Sequence, residues 1–108
     1  MTRQRKYSET SEKAIDRYLT ERTTALGGLS LKFQSETMTG FPDRIVMLPG
    51  GVTAWVELKS RGRKPRLLQQ VRHCQLRDLG QRVYVADSRT AVDTILAELS
   101  GKEADDEV

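Results

Sequence analysis

The stretch from Gly40 to Ser60, GFPDRIVMLPGGVTAWVELKS, constrains this chain more than any other. Two runs of β-branched and apolar residues flank Pro49-Gly50-Gly51, the pattern of a β-hairpin. Asp43–Leu48 and Val52–Lys59 read as its strands. With the turn centred on Gly50, Asp43 lies opposite Glu57, the Cβ atoms roughly 4.5–5.5 Å apart. Successive strand side chains point to opposite faces. Glu57 therefore shares a face with Lys59 and Trp55, while Val56 and Leu58 point the other way.

Two facing carboxylates repel, and the repulsion raises the pKa of one of them. A divalent cation removes the conflict. Mg²⁺ takes hard oxygens, commonly one or two carboxylates completed by phosphate oxygens and water. The Leu58 carbonyl, between Glu57 and Lys59, offers one more. Lys59 is close enough to orient or deprotonate a water, or to steady charge building on a phosphate. An ion, an activated water and a cation are what phosphodiester hydrolysis requires. The plainer reading is an Asp closing a turn after proline and a solvated Glu-x-Lys edge. It fits less well with an otherwise apolar strand, VTAWVEL, that runs into a basic loop.

The rest of the chain supplies a frame for this hairpin. Helical spacing of Ile15, Tyr18, Leu19 and Leu26 predicts a helix over 8–26, capped by Ser8 or Ser11 and ended by Gly27-Gly28. Leu29, Leu31 and Phe33 alternate with polar residues, as in a half-buried strand. Gly40 and Pro42 shape the turn that delivers Asp43. A helix over 66–79 places Leu67, Leu68, Val71, Cys74 and Leu79 on its apolar side, with Leu76 off the stripe as a dimer contact or an exposed leucine. A strand over 82–87 and a helix over 90–99 complete the order αβββαβα. Thr90 and Asp93 suggest a capping box for that last helix. The order predicts an α/β fold, a mixed sheet flanked by helices. One domain over 8–101 is expected, with flexible termini at 1–7 and 102–108.

Charge points to the partner. The tail KEADDEV sets one lysine against four acids, so the preceding residues carry +6 rather than the overall +3. Arg61, Arg63, Lys64 and Arg66 crowd the loop after the second hairpin strand, with Arg3, Arg5 and Lys6 near the start. A polyanion such as DNA suits this balance. The 61–66 loop is the best placed to grip a phosphate backbone, and Lys32 and Arg44 read as charged surface. No apolar run approaches the ~18 residues of a membrane span. A single cysteine, Cys74, forms no intrachain disulfide, which suits a reducing cytoplasm. One Cys and one His exclude a Cys/His zinc cluster within the chain. His73, without a second His, reads as a helix-surface residue, and Trp55 as a core or interface residue.

The combination PD-x13-E-L-K, with SEKAIDRYL, GGLSLKF, GFPDRIVMLPGG, WVELKSRGRKPRLLQ and LRDLGQRVYVADS, resembles the VRR-NUC (virus-type replication-repair nuclease) domain of the PD-(D/E)xK superfamily. The resemblance is to the small stand-alone form of phages and bacteria. It implies a restriction-endonuclease-like fold and Mg²⁺- or Mn²⁺-dependent cleavage of DNA by an endonuclease. By position, Asp43 and Glu57 resemble the family's metal ligands and Lys59 its catalytic lysine. Glu12 matches the acid of the first helix. Gln69 matches the glutamine of the helix after the lysine, although its neighbour Gln70 fits nearly as well. Glu12 stands three residues before Ile15 and seven before Leu19, which aims it along the apolar face toward the ion; the alternative is a first-turn acid favoured by the helix dipole. The resemblance further implies selectivity for branched DNA, as in four-way junction resolution, by a homodimer. The alternative is a DNA-binding accessory subunit that keeps the fold without cutting.

Overall fold

The computed structural model describes residues 10–101. The expectations for the termini, for Ser8 as a cap and for Arg3, Arg5 and Lys6 lie outside them. The elements follow the expected order: α1 (Glu12–Ala25), β1 (Leu29–Lys32), β2 (Arg44–Leu48), β3 (Val52–Leu58), α2 (Leu67–Asp78), β4 (Val83–Ala86) and α3 (Arg89–Ser100). They form one four-stranded sheet in the order β1-β2-β3-β4. β2 pairs antiparallel with β1 and β3, and β4 runs parallel to β3. A parallel neighbour needs a crossover, which α2 supplies.

The hairpin has the register read from its turn, from Arg44 opposite Val56 to Leu48 opposite Val52. Its even-numbered residues face the core. Val46, Leu48, Ala54, Val56 and Leu58 pack there with Ile15 and Leu19 of α1 and with Val92, Ile95, Leu96 and Leu99 of α3. Arg44 lies on this side too. Its guanidinium forks onto Asp16 of α1 at 2.9 and 3.1 Å and donates to the Ser30 carbonyl at 3.0 Å. The two-pronged bond ties α1 across β1 and β2, so Arg44 serves the scaffold. Gly28 lets the α1–β1 turn close: a Cβ there would lie 2.2 Å from the Met47 carbonyl oxygen. Ser11 caps α1, accepting from the Ala14 N–H at 3.1 Å.

Three local expectations are corrected. α2 is rotated away from its apolar stripe: Leu67, Leu68, Val71, Cys74 and Leu79 are exposed, and His73 and Leu76 are buried. The buried face carries a polar tether, Gln69 to Glu57 at 2.9 Å. Residues four and seven positions on share that face of the helix, which brings His73 and Leu76 onto the sheet. Leu76 is thus core and His73 is not a surface residue. On β1, Leu29 and Leu31 are 59% and 43% exposed. They point away from α1 and α3, to the face that α2 shares but covers only over β3 and β4. Finally, α3 is capped by Ser88, which accepts from the Ala91 N–H at 3.0 Å, rather than by a Thr90–Asp93 box. Asp93 accepts from the Tyr18 hydroxyl instead.

The rotation of α2 gives a mutational contrast that hydrophobicity alone would not. Leu76→Ala is expected to destabilise the fold by about 2–4 kcal/mol, and Leu79→Ala by less than about 0.5 kcal/mol. Urea denaturation of the two variants measures the difference.

Candidate active site

The site lies at the open end of the hairpin, where β3 finishes and β2 begins. Asp43 stands one residue before β2, its carbonyl accepting from the Phe33 N–H at 2.8 Å. Its carboxylate reaches across the ribbon, and Oδ2 accepts from the Leu58 N–H at 2.8 Å. A strand residue sends its N–H and C=O to the same edge. The N–H groups of Trp55 and Lys59 bond Arg82 and Ala86, toward β4. Leu58, one residue out of phase, therefore turns its carbonyl to the Asp43 side.

Glu57 points from the other face of the sheet into the space beneath α2, with only 1% of its side chain exposed. Oε2 accepts from Gln69 Nε2 at 2.9 Å and lies 3.4 Å from Lys59 Nζ. Gln69 is held for this purpose, since its own Oε1 accepts from the Arg66 N–H at 2.8 Å. Gln70 turns elsewhere, to the Pro65 carbonyl. Among the described residues, Glu57 Oε1 has no hydrogen-bond partner. Burial, and then the charge of Asp43, push the Glu57 carboxyl up to about 7, against the pull of Lys59.

The approach to Asp43 is built on aromatic packing. Phe33 meets both Phe41 and Trp55 edge-on, at 5.4 and 5.0 Å between ring centres, and Arg72 lies over the Phe41 ring. Trp55 donates its indole N–H to Gln81. Trp55 thus braces the strand beside Glu57.

Arg61, Arg63, Lys64 and Arg66 are all exposed. The last three line a cleft of about 140 Å³ with Glu12, Lys59 and Ser60. Arg61 is absent from that lining, and its N–H bonds the Thr10 carbonyl. Glu12 lines this cleft together with Lys59. It is an exposed first-turn residue on the rim of the cleft. Its carboxyl is nevertheless raised, by partial burial and then by Asp43, so it feels the site's negative charge from outside.

Among the described residues, no three Asp, Glu, His or Cys side chains are grouped to hold a metal ion. What converges is two carboxylates and a backbone carbonyl, with one buried carboxylate oxygen lacking a donor. That set suits a hard cation such as Mg²⁺ or Mn²⁺, which uses few protein oxygens and completes its shell with phosphate and water. Glu12 lies at its edge, close enough that its charge reaches Glu57. The structure thus assembles Asp43, Glu57, Leu58, Lys59 and Gln69, and leaves Glu12 and the basic loop at the mouth. The residue that the sequence reading missed is His73, buried with Nε2 3.6 Å from Glu57 Oε1. Its signal was its spacing, four residues after Gln69.

The raised Glu57 carboxyl sets a pH dependence for the metal-free protein. The folded state holds this proton more tightly than an ordinary carboxyl near 4.5. Its contribution is therefore complete below about pH 4.5 and is lost as pH rises through about 7, with a magnitude of up to about 3 kcal/mol. Wild type should lose stability relative to Glu57→Gln between pH 5 and pH 8, measured by denaturant melts in EDTA.

No protein-family model matches the chain. A protein of Acyrthosiphon pisum secondary endosymbiont phage 1 described as "Putative nuclease p44" is 40% identical over 78 residues, 72% of this chain and 84% of that protein. A solved structure described as "VRR_NUC domain" superposes with a TM-score of 0.77 at 39% identity, covering 81% of this chain and 95% of the other. Sequence and fold agree with the motif laid out along the hairpin, and the chain belongs to the VRR-NUC family of nucleases.

Proposed function

We propose that the protein is a divalent-metal-dependent DNA endonuclease selective for branched DNA, acting as a homodimer. One observation carries the catalytic part: the β2–β3 register joins Asp43, Glu57, the Leu58 carbonyl and Lys59 at one end of the ribbon. Binding DNA alone would not call for that set.

Asp43, Glu57 and the Leu58 carbonyl are the groups that would hold Mg²⁺ or Mn²⁺. The ion, when bound, supplies an activated water and offsets negative charge on the phosphate. Gln69 fixes the plane of the Glu57 carboxylate. Lys59, with its side chain 15% exposed, places an ammonium where it can orient the attacking water and balance charge growing on the phosphate oxygens. Arg63, Lys64 and Arg66 grip the DNA backbone leading into the cleft, with Arg61 at its edge. Such contacts position a strand without reading its bases, which accords with recognition of DNA shape. Ionised Glu57 is the form that takes a metal, so affinity for the ion should increase as pH rises through about 7.

Paired cuts in a four-way junction require two sites related by symmetry, and a two-fold dimer provides them. The support here is surface. Leu29, Leu31 and Met47 leave one sheet face apolar and open, and α2 exposes Leu67, Leu68, Val71 and Leu79.

Labelled four-way junction, flap and linear duplex, incubated with Mg²⁺, Mn²⁺ or EDTA, test the reading. Cleavage should favour the branched substrates and vanish in EDTA. Asp43→Asn and Lys59→Ala should each lower kcat by about 10²-fold or more with DNA affinity kept within a few-fold. Tight binding with no cut in any metal would leave only a non-cleaving accessory role. Sedimentation at micromolar concentration should give a dimer that Leu31→Glu weakens; a wild-type monomer, with and without DNA, removes the dimer.

A further inference from the structure

Beneath Glu57, α2 presents two residues four apart on one helical face, and each meets a different oxygen of the same carboxylate. Gln69 Nε2 donates to Oε2 at 2.9 Å. His73 Nε2 stands 3.6 Å from Oε1. The imidazole is as enclosed as its partner, at 3% exposure against 1%. Both facing atoms are buried, and among the described residues neither has a hydrogen-bond partner. At 3.6 Å the two fall short of a hydrogen bond, and a closure of well under 1 Å brings them within range. A buried polar atom in a native protein ordinarily finds a partner, and here each orphan is the other's nearest complement.

We propose that His73 is a positioning residue for Glu57, its imidazole N–H closing on Oε1 so that Gln69 and His73 clasp the carboxylate at two points when an ion engages the site. The inference rests on the metal-site reading given above. The helix is built for such precision. Its start is fixed by the Arg66 backbone N–H donating to Gln69 Oε1. Leu76 is buried beyond His73, and Arg77 donates to the Val83 carbonyl at 2.9 Å. His73 lies between those anchors, with Arg77, Lys59 and Asp43 as the charged groups whose fields reach it. An imidazole keeps at least one N–H to donate. The outer partners of metal-binding side chains fix their orientation, and their loss typically costs 10–100-fold in metal affinity.

His73→Leu removes the donor at similar volume, and His73→Gln keeps an N–H at comparable reach. Mn²⁺ binding to the DNA-free protein, followed by calorimetry, is the first readout. Wild type and His73→Gln should agree within about threefold, while His73→Leu should bind at least tenfold more weakly. Its kcat on branched DNA should fall by a similar factor with KM unchanged. A folded His73→Leu with wild-type Mn²⁺ affinity and kcat overturns the proposal, as does a folded His73→Gln that is as impaired as the leucine variant. Should His73→Leu not fold, ¹⁵N-labelled wild type decides: Mg²⁺ should slow exchange of the His73 ring N–H and move its resonance downfield, and an imidazole indifferent to Mg²⁺ overturns the clasp. Wild type that binds no divalent ion overturns the metal-site reading together with this one. Wild type that binds and cleaves while the leucine variant matches it overturns this one alone.

Discussion

The register of the β2–β3 ribbon is the constraint on which everything else depends. Strand side chains alternate between faces, so a slip of one residue would send Glu57 into the apolar layer beneath α1 and α3 and turn Val56 toward α2. Two features prevent it. The even-numbered residues Val46, Ala54 and Val56 are fully buried in that layer, which makes the alternative register costly. Gly50 and Gly51, at φ 93° and 79°, close the turn in a conformation that other residues rarely adopt. The Asp43–Leu58 bond then continues the pairing one step past the ladder, using a carboxylate where the strand runs out of backbone partners. A carboxylate of the proposed metal site thereby also holds the ribbon's open end together.

The parts of the fold that the sequence revealed are those governed by strong local rules. Alternating apolar residues around Pro-Gly-Gly define the hairpin, and the placement of Asp43 opposite Glu57 follows by counting. α2 was illegible for a physical reason. Leu67, Leu68, Val71, Cys74 and Leu79 make as plausible a buried stripe as any, but the helix lies over a carboxylate. The helix turns Gln69 to Glu57, and no hydrophobic pattern encodes a polar contact between distant segments. His73 follows, since its spacing from Gln69 puts both on the face that the helix buries. Glu12, whose spacing from Ile15 and Leu19 aims it along the apolar face, is an exposed first-turn residue that lines the cleft with Lys59.

The rotation of α2 also changes what its leucines mean. Apolar side chains turn outward on α2 and on the open face of β1 and β2. The rotation that puts Gln69 and His73 beneath α2 also buries Leu76, so site and core share one face of the helix.

Glu57 shows why the protein keeps so unfavourable a group. Buried beside Asp43, its ionised form is disfavoured by both desolvation and like charge. A glutamine or an apolar residue would relieve both penalties. The same features make the site responsive. A carboxylate fully compensated by protein donors would gain little from a cation, whereas Glu57 has one oxygen bound by Gln69 and Lys59 and the other without a donor. On the proposed metal-site reading, a cation there would meet charge that the fold leaves only partly balanced, and stability given up by burying Glu57 would return as affinity for the ion.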